Sequence, residues 1–194
     1  MLSLCRLPFM AAPSNDLLEY STPMPLYNAT VPQLSKMLGN LSRWLDEAIA
    51  YAESREFDPE SLLQARLYPD QFALVRQVQA ACDSAKFIGA RLSDTEAPSH
   101  PDTETTLPEL KARIESTIGF IQGLDEAAFE GAGERRLFLP FLHGAWVSGD
   151  DYLNEFGLPN FYFHVTTAYA ILRHNGVKLG KRTFIGNMNA NAPE

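Results

Sequence analysis

Apolar residues recur at three- and four-residue steps along several long stretches of this chain, and this spacing limits what it can fold into. In residues 30–54 the apolar positions are Val31, Leu34, Leu38, Leu41, Leu45, Ala48 and Ala52. A repeat close to 3.6 residues places such side chains on one side of an α-helix. Thr30 is the expected N-cap, and Pro32 lies in the first turn. The pattern predicts an amphipathic helix over residues 30–54.

Two further long helices follow from the same reasoning. Residues 70–92 repeat the amphipathic pattern, and the polar stretch 93–105 contains prolines and no apolar period, which is typical of a surface loop. Thr106 and Glu109 have the spacing of a capping box. They predict the start of a third helix, which the apolar spacing carries to about residue 124.

A different pattern occupies the region before the last helix. Apolar residues alternate with others in "LFLPF" (residues 137–141), and His143-Gly144 can form a turn. These features predict a small β-hairpin, in which Pro140 would confine its strand to an edge. The last long helix is expected to begin at Asp150 or Asp151, with an interruption at residues 157–159 and an end near Gly176.

Four long helices and one short hairpin predict an all-α fold, a helical bundle. At 194 residues the chain suits one domain with a sizeable core. We assign residues 26–186 to this domain, residues 1–25 to a flexible N-terminal extension and residues 187–194 to a flexible tail. The sequence leaves open whether residues 1–25 are a targeting segment.

The charge balance bears on the partners. Lys and Arg number 16 against 24 Asp and Glu, which gives a net charge of −8. Such a chain repels phosphate backbones and anionic membrane surfaces, so we expect neither nucleic acid nor a membrane as a partner. The chain has only two cysteines, Cys5 and Cys82, and no disulfide framework follows from them. A reducing compartment, the cytoplasm, is the expected location.

One histidine lies in the middle of the last helical stretch, "NFYFHVTTAYAILRHNG", residues 160–176. Asn160 and His164 share one face of a helix that is apolar over much of its circumference, so we expect His164 to be mostly buried. A buried neutral imidazole needs a partner for each ring nitrogen. The candidate partners are Tyr68, Asp70, Asp83 and a bound water.

The same stretch, extended to "LPNFYFHVTTAYAILRHNGVKLGKRTFIG", resembles the C-terminal signature of the family of domains of unknown function called DUF1993, within the DinB/YfiT-like superfamily. "LYNATVPQLSKMLGNLSRWLDEA", "LLQARLYPDQFALVRQVQAACDSAK", "ELKARIESTIGFI" and "DYLNEFGLPNFYFH" resemble it too. The resemblance covers about residues 26 to 186. It implies a DinB-like four-helix bundle of up-down-down-up type.

The resemblance also implies a metal-site pattern. DinB-like proteins typically carry one metal-binding histidine on the second long helix and a His-x-x-x-His pair near the start of the fourth. The superfamily includes thiol-dependent transferases and isomerases. In this chain Asn160 and His164 occupy the two positions of the pair, and the nearest comparable group on the second helix is Asp70. The usual three-histidine site is therefore absent, and an amide is a poor ligand for zinc or nickel.

Three alternatives for His164 remain open. Asp70, Asn160 and His164 form a mixed-ligand site for a divalent metal, in which carboxylate and amide oxygens are acceptable. Alternatively His164 is a core histidine that only orients the helices. In the third alternative it acts as an acid, a base or a hydrogen-bond donor in a metal-free pocket.

Other conspicuous side chains have structural explanations. Asp83 and Lys86 are expected to form an ion pair, with Arg91 on the same face, although a substrate clamp is the alternative. Cys82 is expected in the core. The aromatic residues are expected in the core, with pocket lining as the alternative: Trp44, Phe156, Phe161, Tyr162, Phe163 and Tyr169.

Two functional classes follow. The first is a small-molecule-binding or enzyme-like bundle with a degenerate or lost metal site between the second and fourth helices. Its candidate partner is a small molecule and its candidate cofactor a divalent metal. The second is a non-catalytic interaction bundle that acts as a homodimer. The sequence does not decide whether the protein is an enzyme.

Overall fold

The computed structural model of the protein describes residues 25–188. Its long helices are α1 (Leu26–Ser54), α2 (Leu74–Ser93), α3 (Leu107–Gln122) and α4 (Leu158–His174), and the short helix α5 (Lys181–Ile185) follows. A two-stranded antiparallel sheet, β1 (Arg136–Phe138) and β2 (Trp146–Ser148), precedes α4. None of the helices described is long and apolar enough to cross a membrane. The predicted flexible segments, apart from residues 25, 187 and 188, lie outside the described residues.

Contacts between the helices establish their directions. α1 and α4 run parallel, because Gln33 Nε2 donates to Tyr162 Oη at 2.8 Å and, further along both helices, Trp44 packs edge-on against Tyr169. Lys111, at the start of α3, pairs with Asp46 near the end of α1, so α3 runs against α1. α2 and α3 run parallel, because Asp83 pairs with Arg113 and, further along both helices, Gly89 lies beside Ile121. The up-down-down-up bundle is confirmed.

The core lies between these helices, and α1 contributes the face that its spacing predicted. Leu34, Leu38, Leu41, Trp44, Leu45 and Ala48 are all fully buried. α5 closes one side of this core, since Phe184 stacks on Trp44 with ring centroids 5.4 Å apart. Asn40, also fully buried, donates through Nδ2 to the Phe184 carbonyl at 2.8 Å. The C-terminal segment is therefore fastened to α1.

α1 begins four residues before the predicted start. Thr30 is not its N-cap but an interior residue whose Oγ1 donates to the Leu26 carbonyl at 2.6 Å, and Pro32 lies inside the helix. The first turn packs on the core, with the Tyr27 and Phe129 rings 5.3 Å apart and nearly perpendicular. This packing stabilises a first turn that the local sequence alone does not predict. Tertiary contacts here outweigh the helix propensities of the individual residues.

α2 begins four residues after the predicted start, at Leu74. Residues 65–73 instead form a turn in which the Gln71 amide donates to Tyr68 O at 3.1 Å and the Leu74 amide to Ala65 O at 2.9 Å. Asp70, predicted in the first turn of α2, is exposed in this connection.

A charged cluster joins α2, α3 and the loop between them; its members are Arg76, Asp83, Lys86, Asp102, Glu104 and Arg113. The predicted Asp83–Lys86 ion pair is confirmed at 2.9 Å. The further partner of Asp83 is Arg113 at 2.9 Å, not Arg91. Arg113 also contacts Asp102 at 3.1 Å and Glu104 at 2.9 Å, and Asp102 pairs with Arg76. The predicted surface loop is thus fixed to the bundle.

The predicted interruption of the last helix is a change of winding, not a break. Ser148 caps a helical turn at Gly149–Asp151, a π-helical segment Tyr152–Gly157 follows, and α4 continues from Leu158. Pro159 has no amide hydrogen to donate, and the Leu158 amide reaches back to Leu153 O. These two features favour the wider winding here. We refer to Tyr152–Gly157 as the π segment.

The predicted hairpin is confirmed, with shorter strands than the alternation suggested. Leu137 faces Val147 across the pair, and the turn contains His143 and Gly144, both with positive φ (50° and 93°). Pro140 begins a 3₁₀ turn, Pro140–Leu142, and does not lie in an edge strand. Its missing amide hydrogen therefore costs the sheet no hydrogen bond.

Two glycine substitutions test how closely the helical turn at Gly149 packs against Ala132, which precedes the hairpin. A Cβ added at Gly149 would lie 1.9 Å from the Ala132 carbonyl oxygen, a backbone atom that cannot rotate away. We expect Gly149→Ala to lower the free energy of unfolding by about 1–3 kcal/mol. Gly119→Ala, at an exposed position of α3 with nothing within 4 Å of the new Cβ, should raise the free energy of unfolding by about 0.5–1 kcal/mol. Urea denaturation measures both, and equal effects would contradict this packing.

Candidate functional site

Asn160 and His164 lie one turn apart on α4 and both face α2. Asn160 Nδ2 donates to Ser84 Oγ at 2.7 Å, and His164 Nδ1 lies 2.8 Å from Gln77 Oε1. Gln77 is fully buried and His164 is 9% exposed. We call these two side-chain pairs the polar seam between α2 and α4. The seam confirms that His164 is largely buried on the face it shares with Asn160.

The orientation of Gln77 fixes the proton on His164. Gln77 Nε2 donates to the Phe72 carbonyl at 3.2 Å, so its Oε1 is the acceptor that faces the imidazole. Nδ1 of His164 therefore carries the hydrogen and Nε2 the lone pair. None of the three side chains expected as partners supplies this bond. An amide at the start of α2 does so instead, because the shifted start of the helix leaves Asp70 in the exposed turn.

The surroundings of His164 favour its neutral form. Burial lowers the pKa of the imidazole, and the positive charge of nearby Arg76 lowers the pKa further. A neutral histidine with a fixed tautomer can accept a hydrogen bond at Nε2 or serve as a base. The seam is therefore uncharged near neutral pH.

Of the three predicted metal ligands, two lie in the polar seam and the third, Asp70, lies in the turn before α2. The structure brings Asn160 and His164 onto the same face, but the Asp70 side chain is exposed and makes no hydrogen bond within residues 25–188. In that range no group of three or more His, Cys, Asp and Glu side chains is placed to hold a metal ion. The remaining donors, one imidazole nitrogen and one amide oxygen, do not fit zinc or nickel. The three-residue site stays a prediction, and no step below depends on a metal.

Beside the polar seam, a cleft of about 310 Å³ opens between α2 and the π segment. Its polar residues are Arg76, Asp83, Ser84, Arg91 and Asn160, and its apolar walls are formed by Phe87, Phe141, Tyr152 and Phe156. We call it the α2–α4 cleft. His164 is not among the residues that line it. The aromatic residues thus divide: Trp44 and Phe161 are core, as expected, whereas Phe156 lines the cleft.

Arg91 and Tyr152, which both line the cleft, form a contact that the sequence did not predict. Arg91 Nη1 donates to Tyr152 Oη at 2.8 Å, and the guanidinium carbon lies 5.3 Å from the centre of the tyrosine ring. Burial raises the pKa of Tyr152, although Arg91 lowers it in part, so the hydroxyl keeps its proton. The helical spacing of Arg91 and Asp83 suggested a shared face, but the π segment brings Tyr152 to Arg91 instead.

Cys82 is not a reactive group of this cleft. It is fully buried in the core, as predicted, and burial raises the pKa of its thiol to about 12. The thiolate is the nucleophilic form of cysteine, and it is scarce at such a pKa. The described structure therefore supplies no activated thiol here.

A larger groove of about 750 Å³ lies along α1 on the other side of the bundle. Amides, Lys36 and Arg43 line it, and no aromatic side chain does. Its end is formed by Asn187 and Met188, the last residues that the structure describes. Because no aromatic side chain lines it, this groove is the weaker candidate for binding a small molecule.

Comparisons with known proteins agree with this architecture. Residues 26–185 match the family model described as "Domain of unknown function (DUF1993)". The crystal structure of a DinB family member protein from Shewanella denitrificans is 48% identical, with a TM-score of 0.84, over 87% of this chain and 96% of that chain. No curated protein matches the chain.

The polar seam gives a prediction for His164. Its folded pKa is lowered, so the unfolded state binds more protons below about pH 6.5. Stability from the neutral imidazole is thus complete above that pH and falls as the pH drops toward the folded pKa. His164→Gln should lose stability less steeply than the native protein between pH 7.5 and 5.5, as measured by urea denaturation.

Two further variants sharpen this test. His164→Ala leaves Gln77 Oε1 buried without its donor and should cost about 1–3 kcal/mol at pH 7.5. His100, whose pKa burial also lowers, contributes its own share of the acid loss, so His100→Gln serves as the matched control. If His164→Gln kept the full acid slope of the native protein, the imidazole would not be neutral in the seam.

Proposed function

We propose, from the premise that this chain belongs to the DUF1993 family of DinB-like helical bundles, that it binds a small molecule in the α2–α4 cleft. The cleft lies between the second and fourth long helices, where the sequence suggested a site. Binding here needs no metal, because the cleft has its own polar and apolar groups.

One observation carries this proposal: aromatic rings remain exposed around a cleft with a polar floor. Phe87, Phe141 and Phe156 are 37%, 51% and 38% exposed. Grouped apolar surface in contact with water mostly marks a binding site, and pockets of about 300–1,000 Å³ with a few placed polar groups are typical of small-molecule sites. Ser84 and Asn160 supply such groups at the floor.

The chemistry of the cleft favours binding over covalent catalysis. The hydroxyl of Ser84 donates to the Ala80 carbonyl at 2.7 Å and accepts from Asn160, so no general base activates it. Asp83, the carboxylate in the lining, is engaged by Lys86 and Arg113. The proposed role is therefore non-covalent binding of a ligand, without proton transfer to or from the side chains that line the cleft.

Filling the cleft tests the proposal. Ala80 lines the cleft, and Ala80→Trp should occupy its volume and abolish binding of a neutral aromatic probe, benzyl alcohol, as measured by saturation-transfer NMR. Ala50→Trp adds the same side chain on the exposed face of α1 and should leave the signal unchanged. A probe signal of equal strength in Ala80→Trp and the native protein would place binding elsewhere.

Repeating the binding measurement with a metal chelator distinguishes this proposal from the metal hypothesis. Because the proposed binding uses no metal, treatment with EDTA should leave the probe signal intact. A signal lost with EDTA and restored by one equivalent of a divalent metal would instead support the predicted ligands Asp70, Asn160 and His164.

A second candidate function, self-association, is favoured by the hairpin. Phe138 and Trp146 face each other across the two strands and are 68% and 49% exposed. Such a pair resembles the aromatic centre of many protein interfaces. A homodimer through this surface is the interaction alternative to ligand binding.

Sedimentation equilibrium tests the homodimer. The native protein should associate with rising concentration, and the double variant Phe138→Ser with Trp146→Ser should remain a monomer. The matched control is Leu67→Ser with Tyr68→Ser, which removes two exposed apolar side chains from the turn before α2 and should not change association. A native protein that stays monomeric would remove this candidate.

A further inference from the structure

Within residues 25–188, one positive charge in the α2–α4 cleft has no carboxylate partner. The charged cluster contains three cations, Arg76, Lys86 and Arg113, and three carboxylates, Asp83, Asp102 and Glu104, so its charges balance. Arg91 lines the same cleft but forms no ion pair with a described residue. The cleft therefore carries an uncompensated positive charge, although the whole chain is acidic.

The guanidinium of Arg91 is held in place by aromatic groups. Its central carbon lies 4.9 Å from the centre of the Phe87 ring and 5.3 Å from that of Tyr152. Stacking on aromatic faces orients a guanidinium and leaves its edge free to donate hydrogen bonds. Of its five N–H donors, the hydrogen bond to Tyr152 Oη uses one. A fixed fork with free donors suits a carboxylate or a phosphate.

Tyr152 supplies a second donor beside this fork. Its hydroxyl oxygen accepts from Arg91, while its own hydrogen has no acceptor among the described residues. The side chain is 2% exposed and is set by the π segment, so its position is fixed before any ligand binds. Arg91 and Tyr152 thus place two hydrogen-bond donors side by side in the cleft, a charged guanidinium and a neutral hydroxyl.

The apolar side of the cleft adjoins these donors, since the centres of the Phe156 and Tyr152 rings lie 6.1 Å apart. Phe141 and Phe156 pack with ring centroids 5.0 Å apart, and both rings stay partly exposed toward the opening. A volume of about 310 Å³ is at the small end of ligand pockets. This space accommodates a compact apolar group such as one ring, and it is too small to enclose a whole peptide or dinucleotide.

We infer that the ligand of the α2–α4 cleft is a small molecule in which an oxyanion, a carboxylate or a phosphate, is joined to a compact apolar group. Arg91 and Tyr152 bind the oxyanion, and Phe141 and Phe156 contact the apolar group. This inference rests on the proposed function, since it names the class of ligand for the same cleft.

Probes that share one ring but differ in charge test the inference. Phenylacetate and phenyl phosphate carry the two oxyanions, and phenylacetamide is the neutral counterpart. On the native protein, NMR titration should show at least one oxyanion binding about tenfold or more tighter than the amide, because charged hydrogen bonds are the stronger ones. Whichever oxyanion binds more tightly identifies the group.

Variants assign the preference to its residues. Arg91→Met should bring the oxyanions to within about twofold of the amide. The control is Arg136→Met. Arg136 forms no ion pair with a described residue and stacks on an aromatic ring, Trp146 at 4.5 Å, but it lies outside the cleft lining, so this variant should keep the native preference. Tyr152→Phe retains the ring beside Arg91 and should weaken oxyanion binding by several fold. This variant decides the matter if Arg91→Met fails to fold.

The outcomes distinguish a failure of the inferred ligand class from a failure of the proposed function. If the amide binds as tightly as the oxyanions and Arg91→Met changes neither, the cleft binds ligands but the inferred class is wrong. If no probe, including benzyl alcohol, binds the native protein, the proposed function fails and the inference fails with it. An oxyanion preference that survives in both Arg91→Met and Tyr152→Phe would also overturn the inference.

Discussion

The polar seam between α2 and α4 is the constraint on which the rest of the described site depends. Two side-chain hydrogen bonds, a buried one from His164 to Gln77 and a part-buried one from Asn160 to Ser84, hold the antiparallel helices in one relative position. A shift by one turn would leave these polar groups buried without partners, which costs about 1–3 kcal/mol for each. The seam begins three residues after the π segment, and the cleft opens between that segment and α2.

The charged cluster contributes to the electrostatics of the cleft, because two of its members, Arg76 and Asp83, line it. Buried ion pairs add little net stability, but removing one partner is costly, so they favour one arrangement over others. Here they hold the parallel helices α2 and α3 together and fix the intervening loop through Arg113. In doing so they engage Asp83, the acidic group closest along α2 to Arg91. That engagement leaves the Arg91 charge uncompensated.

Much of the bundle could be predicted from the sequence, because apolar spacing and caps are local properties. The capping box of Thr106 with Glu109 and the turn at His143-Gly144 are both present. The starts of α1 and α2 were predicted wrongly, since packing against distant groups such as Phe129 decides them. The burial of His164 followed from its helix face, whereas its partner Gln77 carries no distinctive sequence signal. Amides are common, and only the fold brings this one to the imidazole.

The residues that line the cleft could not be predicted, for a related reason. Aromatic residues at helical spacing look alike whether they fill a core or line a pocket, and the winding of the backbone separates the two. The π segment adds room between Tyr152 and Gly157, which turns Phe156 toward the cleft while Phe161, one turn into α4, stays in the core. The resemblance to metal-binding bundles directed attention to the start of α4. In this chain neutral hydrogen bonds close that position, and the open space with an unpaired cation lies beside it. A negatively charged ligand, as proposed above, would supply the counter-charge that Arg91 does not find among the described residues.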